Sequence, residues 1–191
     1  MPRVGMEPIR REALVKATIA EVGRKGSLDV TVAHIAARAG VSSGLAHHYF
    51  GGKEDLIVAA MRHIMQIYGT AVRDELRAAA SPRARAAGIV RASFGPANFA
   101  PEVVAAWLSF YVHAQSATGA RRLLGIYQRR LVSNLADALR PLAGERARDL
   151  AETLAALIDG LYIRHALGDL PDGAAASARV IGVMDRLLEA A

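Results

Sequence analysis

Residues 31–56 read Thr31-Val-Ala-His-Ile-Ala-Ala-Arg-Ala-Gly-Val-Ser-Ser-Gly-Leu-Ala-His-His-Tyr-Phe-Gly-Gly-Lys-Glu-Asp-Leu56. Val32, Ile35, Ala36, Val41, Ala46 and Phe50 recur at helical spacing, interrupted by Gly40, which predicts two short helices crossing at a tight turn. Thr31 is placed to cap the first, and Ser42 or Ser43 the second, which runs to about His48. A second helix of this size, offered outward by its partner, fits the major groove of DNA. The outward residues suit that task. Ser42 and Ser43 bring hydroxyls and a helix N-terminus whose N–H groups favour phosphate, Gly44 permits close backbone approach, and Leu45 can touch a thymine methyl. His47, His48, Tyr49 and Lys53 are expected to bond phosphate oxygens, which carries affinity rather than sequence, and Thr31 is a further expected DNA-binding residue. His47 and His48 point in different directions on a helix, which argues against a shared metal ion.

Outward from this segment, apolar residues keep helical spacing and no sustained strand-like alternation appears, so the expected fold is all-α with about nine helices. Pro8 opens the first helix, with Ile9, Ala13, Leu14, Ala17 and Val22 on one face and Gly23 and Gly26 at its end. A long helix from about 53 to 80 links an N-terminal DNA-binding domain, 1–55, to a ligand-binding and dimerisation domain, 56–191. Further helices are expected at about 82–93, 99–118, 120–140, 145–167 and 173–189, parted by Ser81-Pro82, Gly95-Pro96, Gly119 and the run GDLPDG. Leu150, Leu154, Leu157 and Leu161 form one late stripe, and Val180, Val183, Met184 and Leu187 another. Two such stripes predict a helix pair packed against its symmetry mate in a homodimer; completion of the single-chain core is the alternative.

Composition narrows the classes. The formal charge of +6 suits a polyanionic partner, yet residues 1–55 hold eight Lys/Arg against six Asp/Glu, so no broad basic face marks an architectural DNA-binding protein. The absence of cysteine excludes disulfides and thiolate clusters. The N-terminus lacks the uninterrupted apolar run of a signal peptide, and no stretch is long and apolar enough for a membrane span, so a cytoplasmic protein, nucleoid-associated when bound to DNA, is expected. No phosphate loop, nucleophile elbow or HExxH pair is present, which predicts a non-enzyme without cofactor or metal.

The string T-x-x-x-I-A-x-x-A-G-V-S-x-G-x-x-x-H-Y-F-x-x-K-x-x-L, Thr31 to Leu56, resembles the DNA-binding domain of the tetracycline-repressor (TetR) family. The resemblance implies a three-helix reader of double-stranded operator DNA, a divergent helical sensor for a small-molecule effector, and dimerisation through the last two helices. A narrower similarity to the choline-responsive repressors of glycine-betaine synthesis, the BetI type, is carried by four segments. These are Met1-Pro-x-x-Gly-Met6 followed by Ile9-Arg10-Arg11, Ala106-Trp107-Leu108-x-Phe110, Arg129-Arg130-Leu-x-Ser-Asn134-Leu135, and Ala155-Ala156-Leu-Ile-Asp-Gly-Leu161. Residues Phe94 to Glu102 depart from that pattern.

Of the ten aromatic residues, Phe94, Phe99, Trp107, Phe110, Tyr111 and Tyr127 fall within residues 94–127, and Tyr162 can join them. Such rings either fill a core or line a cage for a quaternary ammonium ion, each desolvated face contributing about 1–2 kcal/mol. Phe99, Trp107, Phe110, Tyr111, Tyr127, Asp159 and Tyr162 are the expected ligand residues. Asp159 stands inside an apolar run, where a carboxylate should be either paired with Arg129, Arg130 or Arg164 or used as counter-charge; Glu102 is a second acidic candidate. His113 and His165 are expected as hydrogen-bonded structural residues or as polar groups of the ligand site. Choline or betaine aldehyde fits this set as effector. Another lipophilic cation, as for an efflux-pump regulator, and an effector-free DNA-binding protein or a helical enzyme are the alternatives.

Overall fold

Nine α-helices and one 3-10 turn make up the described residues, 5–168 and 172–189, of the computed structural model, and no strand occurs among them. In chain order they are α1 (Met6–Lys25), α2 (Val32–Arg38), α3 (Ser43–Phe50), α4 (Lys53–Ala78), α5 (Pro82–Ser93), α6 (Pro101–His113), α7 (Thr118–Ala143), the 3-10 turn Gly144–Arg146, α8 (Ala147–Ala166) and α9 (Gly173–Glu189). The all-α expectation agrees with this architecture. Among the described residues no helix is long and apolar enough to cross a membrane.

Three expectations need correcting. Pro8 falls in the first turn of α1, as expected, but Ile9 lies 59% exposed rather than on the inner face. Gly119 does not separate helices but sits in the first turn of α7, where a helix tolerates a residue of low propensity. α6 is shorter at both ends than 99–118, because Pro101 cannot serve mid-helix and His113 is followed by turn residues.

The chain packs as two compact units, Met1–Ile64 with Pro101–Leu123, and Met65–Ala100 with Leu124–Ala191. Sequence divides the chain by labour at residues 55 and 56, whereas packing groups α6 with the N-terminal helices. The reason is the close seating of α6 on α1: Gly23 touches the backbone of Glu102, and any Cβ at residue 23 would collide with it. Leu14, Ile35, Ala46, Leu56 and Phe110 are fully buried in this first unit. The second unit encloses Ile89, Leu131, Leu135, Leu139, Leu154, Ile158 and Met184. Each such aliphatic side chain contributes about 1.5–3 kcal/mol by leaving water. On its surface the Arg83 guanidinium forks onto Asp185 at 2.7 and 2.6 Å, fastening α5 to α9.

Candidate nucleic-acid interface and effector site

Local chemistry builds the helix-turn-helix. Thr31, in extended conformation, accepts the His34 N–H on its hydroxyl at 3.2 Å and starts α2. Gly40 takes φ +68°, a left-handed turn position that costs a Cβ-bearing residue about 1 kcal/mol or more, and the Val41 N–H returns to the Ala36 carbonyl at 3.0 Å. Ser42, not Ser43, is the cap of α3: its Oγ accepts the Leu45 N–H at 3.2 Å. Of the eight residues of α3 only Ala46 is buried. Gly44, His47 and His48 are exposed, and Ser43, Leu45, Tyr49 and Phe50 half-exposed.

A helix with so little burial needs other fastenings. Arg11 of α1 donates to the Tyr49 carbonyl at 2.7 Å, and its guanidinium lies 4.5 Å from the centre of the Phe50 ring and 5.8 Å from that of Tyr49. This occupies an orphan carbonyl at the end of α3 with a cation, which also suits the helix dipole. His47 Nδ1 lies 2.9 Å from the Gly51 carbonyl, and the Lys53 ammonium reaches the Leu28 carbonyl at 3.4 Å. Lys53, expected at phosphate, therefore has a fold-internal partner. Sequence reasoning missed Glu21, buried on the inner face of α1 between Arg24 at 2.9 Å and Arg38 of α2 at 3.1 Å. The Arg24 hydrogen bond, then the charges of Arg24 and Arg38, hold its carboxyl below the usual glutamate value against the opposing effect of burial. A carboxylate in register with Ala17 and Val22 was the available signal. His113 pairs with Glu54 at 2.7 Å, tying the end of α6 to the first turn of α4. Among the described residues no cluster of three His, Cys, Asp or Glu can hold a metal ion.

Aromatic residues gather in the second unit. Tyr68 and Tyr127 meet edge to face at 5.7 Å, Phe94 and Phe99 at 5.2 Å, and Tyr162 lies 5.8 Å from Phe94 and 5.1 Å from Phe99. His165 stacks on Phe99 at 4.1 Å. The Tyr162 hydroxyl donates to the Ser93 carbonyl and stands 3.3 Å from the Asn98 carbonyl; the Ser93 hydroxyl is 3.1 Å from the Ile89 carbonyl and 3.5 Å from the Tyr68 hydroxyl. Burial pushes Tyr68 up to about 12, with the Asp159 charge adding to the rise and the Ser93 bond opposing it. Tyr162 is raised by burial first, then by Tyr68 and Asp159. Asp159, half-exposed on α8, is thus within electrostatic reach of both phenols. On the same unit a groove of about 480 Å³ runs past Phe94, Pro96, Phe99 and the start of α9, where Gly173 abuts the Phe94 carbonyl.

The other expected ligand residues belong to the first unit. Trp107 is buried with its ring 6.0 Å from that of the half-exposed Tyr111, and Phe110 is fully enclosed. Glu102 opens α6 against Gly23.

The two late stripes split by depth. Leu150, Leu154, Leu161, Val180 and Met184 are buried within the single chain, so these five already serve its core. Leu157, Val183 and Leu187 stay half-exposed, joined along α8 by Ile163 and by Leu167, 74% exposed just past its end.

Two family profiles match the chain: the tetR family of bacterial regulatory proteins over residues 14–60, and the C-terminal domain of BetI-type transcriptional repressors over residues 82–191. The HTH-type transcriptional regulator BetI of Brucella suis is 54% identical over 182 residues, covering 94% of this chain and 92% of that protein. The regulator of the same name from Rhizobium meliloti is 51% identical over 172 residues, 90% of this chain and 85% of the relative. Among solved structures, a transcriptional regulator from Pseudomonas aeruginosa superposes with TM-score 0.79 at 27% identity, covering 98% of this chain and 93% of its own. One from Saccharomonospora viridis, solved in complex with choline, gives TM-score 0.80 at 22% identity over 94% and 95% of the two chains, a likeness of fold. These regulators are not enzymes, in keeping with the missing catalytic motifs, and the chain belongs to the BetI-type transcriptional repressors of the TetR family.

Proposed function

We propose that this repressor acts as a cytoplasmic homodimer on a short inverted repeat, and that a small quaternary ammonium ion, choline or its aldehyde product, relieves its hold on genes for glycine-betaine synthesis. The observation that carries the proposal is the ring cluster of Tyr68 with Tyr127 and of Phe94, Phe99 and Tyr162, with the Asp159 carboxylate in electrostatic reach of the buried Tyr68 and Tyr162. A quaternary ammonium has no N–H to donate, so a protein can hold it only with ring faces and a carboxylate left ionised. Phe99, Tyr127, Asp159 and Tyr162 are the proposed ligand residues, all within this unit. The names of the Brucella and Rhizobium relatives and the choline in the Saccharomonospora structure support the choice of ligand.

On the DNA side, Thr31, Ser42, Ser43, Gly44, Leu45, His47, His48, Tyr49 and Lys53 are proposed contacts. Leu45 would read base edges and the others position the backbone. Paired reading of two half-sites requires the dimer, for which Leu157, Val183 and Leu187 offer the accessible parts of α8 and α9. A mobility shift with the gene's own upstream DNA, titrated with choline, tests the proposal. A single retarded band that choline disperses is expected, with Asp159→Asn weakening the response about tenfold without loss of fold. A band indifferent to choline at all concentrations overturns the effector.

A further inference from the structure

We propose that the side-chain oxygen of Asn98 is the acceptor for the hydroxyl of the effector, making this asparagine the residue that selects a quaternary ammonium alcohol over analogues lacking an O–H. The inference rests on the quaternary-ammonium reading above and adds a specificity-determining residue to it.

Asn98 is 3% exposed, and its Oδ1 is buried without a hydrogen-bond partner, the one such side-chain atom among the described residues. The amide cannot relieve this by turning over. Its Nδ2 donates to the Ala92 carbonyl at 2.9 Å, and a flipped amide would set oxygen against oxygen. The turn itself is closed by backbone, since the Asn98 and Phe99 N–H groups both reach the Gly95 carbonyl at 2.9 Å, and Oδ1 takes no part in it. A buried acceptor left unmade is costly, which makes Oδ1 a fitting partner for a donor arriving from outside.

The neighbours say which donor. Tyr162, whose hydroxyl stands 3.3 Å from the Asn98 carbonyl, is in electrostatic reach of Asp159, and the next residue, Phe99, packs its ring on Tyr162 and His165. One short turn thus carries both a ring of the aromatic cluster and the unsatisfied acceptor. A ligand whose cationic end lies among rings beside a carboxylate, and whose other end offers an O–H, satisfies both. An aldehyde brings only another acceptor to Asn98, and a carboxylate brings acceptors and a charge that Asp159 repels.

The test compares choline with n-propyltrimethylammonium, in which a methyl replaces the hydroxyl, by calorimetric titration of the full-length dimer. The wild type should bind choline about tenfold or more tightly, the margin expected for one buried acceptor met or unmet. Glycine betaine should bind weakest. In Asn98→Ala the preference for choline over the propyl cation should vanish or invert, because desolvating the hydroxyl then brings no return; a merely structural role would weaken both cations alike. Asn98→Ser, which keeps a small polar group near Ala92, serves as the second variant and should lose the same preference. Equal binding of the two cations by the wild type, or an undiminished preference in either folded variant, overturns the proposal. Binding of neither cation by the wild type overturns the quaternary-ammonium reading itself.

Discussion

The DNA-reading helix and the tyrosine cluster of the second unit are built on opposite terms. α3 buries one alanine and is held by groups at its ends: the Ser42 cap, Arg11 on the Tyr49 carbonyl, and the contact of His47 with Gly51. The cluster of Tyr68, Ser93, Asn98 and Tyr162 is buried throughout, and its Tyr162 hydroxyl reaches the main-chain carbonyls of Ser93 and Asn98, 69 and 64 residues away in sequence. A surface reader can change its side chains without touching the fold, whereas a buried sensor couples each polar atom to stability. The molecule therefore separates what it reads from how it stands in one unit and fuses them in the other.

The contrast breaks most dramatically at the proposed dimer, because two copies of a reader with so few contacts would have to act together. Leu157→Glu should give a monomer by sedimentation, with operator affinity lower by roughly a hundredfold or more, since a charge facing its own copy is repelled and unpaired. A dimer that survives would place the seam elsewhere. Next in size, Tyr162→Phe leaves the buried Ser93 carbonyl without its donor and should cost about 1–3 kcal/mol in urea unfolding. His48→Ala should leave the unfolding midpoint where it was; a stability loss matching that of Tyr162→Phe would erase the distinction between the two regions. A smaller effect is expected within α3 itself. His48→Ala should weaken operator and random DNA by the same factor, about three- to tenfold, while Leu45→Ala lowers the ratio between them. Selective loss in the histidine variant would reverse the assignment.

The smallest effect concerns acid. Glu21 has its carboxyl value lowered in the folded chain, so its contribution is present above the ordinary glutamate value of about 4.5 and is lost as pH falls through the lowered one. Amide exchange in α2 should therefore accelerate below that pH in the wild type and vary less steeply in Glu21→Gln. Identical profiles would mean that the links to Arg24 and Arg38 contribute nothing measurable.

Legibility in sequence follows the same divide. Helix caps, Gly40 and the outward residues of α3 are local, so Thr31 to Phe50 could be read residue by residue, down to an ambiguity between Ser42 and Ser43 that only the hydrogen bond to Leu45 resolves. Asp159 stood out because a carboxylate is conspicuous in an apolar run. Tyr68 and Asn98 did not: one looks apolar on its helix, the other ordinary in a turn, and their meaning arises from partners 25 and 6 residues distant. Burial depth was equally invisible, since a leucine stripe looks alike whether it faces its own chain, as Leu154 does, or remains accessible, as Leu157 does. Ile9 misled for the converse reason, a helical apolar period that runs on past the edge of its neighbour.

The single buried alanine of α3 has an engineering corollary. Because Ala46 alone anchors the inner side of that helix, residues such as Gly44, Leu45, His47 and His48 form an exchangeable cassette: another operator's reading set can be grafted there while Ser42, Ala46 and the clasp of Arg11 on the Tyr49 carbonyl are retained. The same sensor could in this way be rewired to a different promoter, and a genome carrying many copies of this architecture would be able to diversify its targets faster than its ligands.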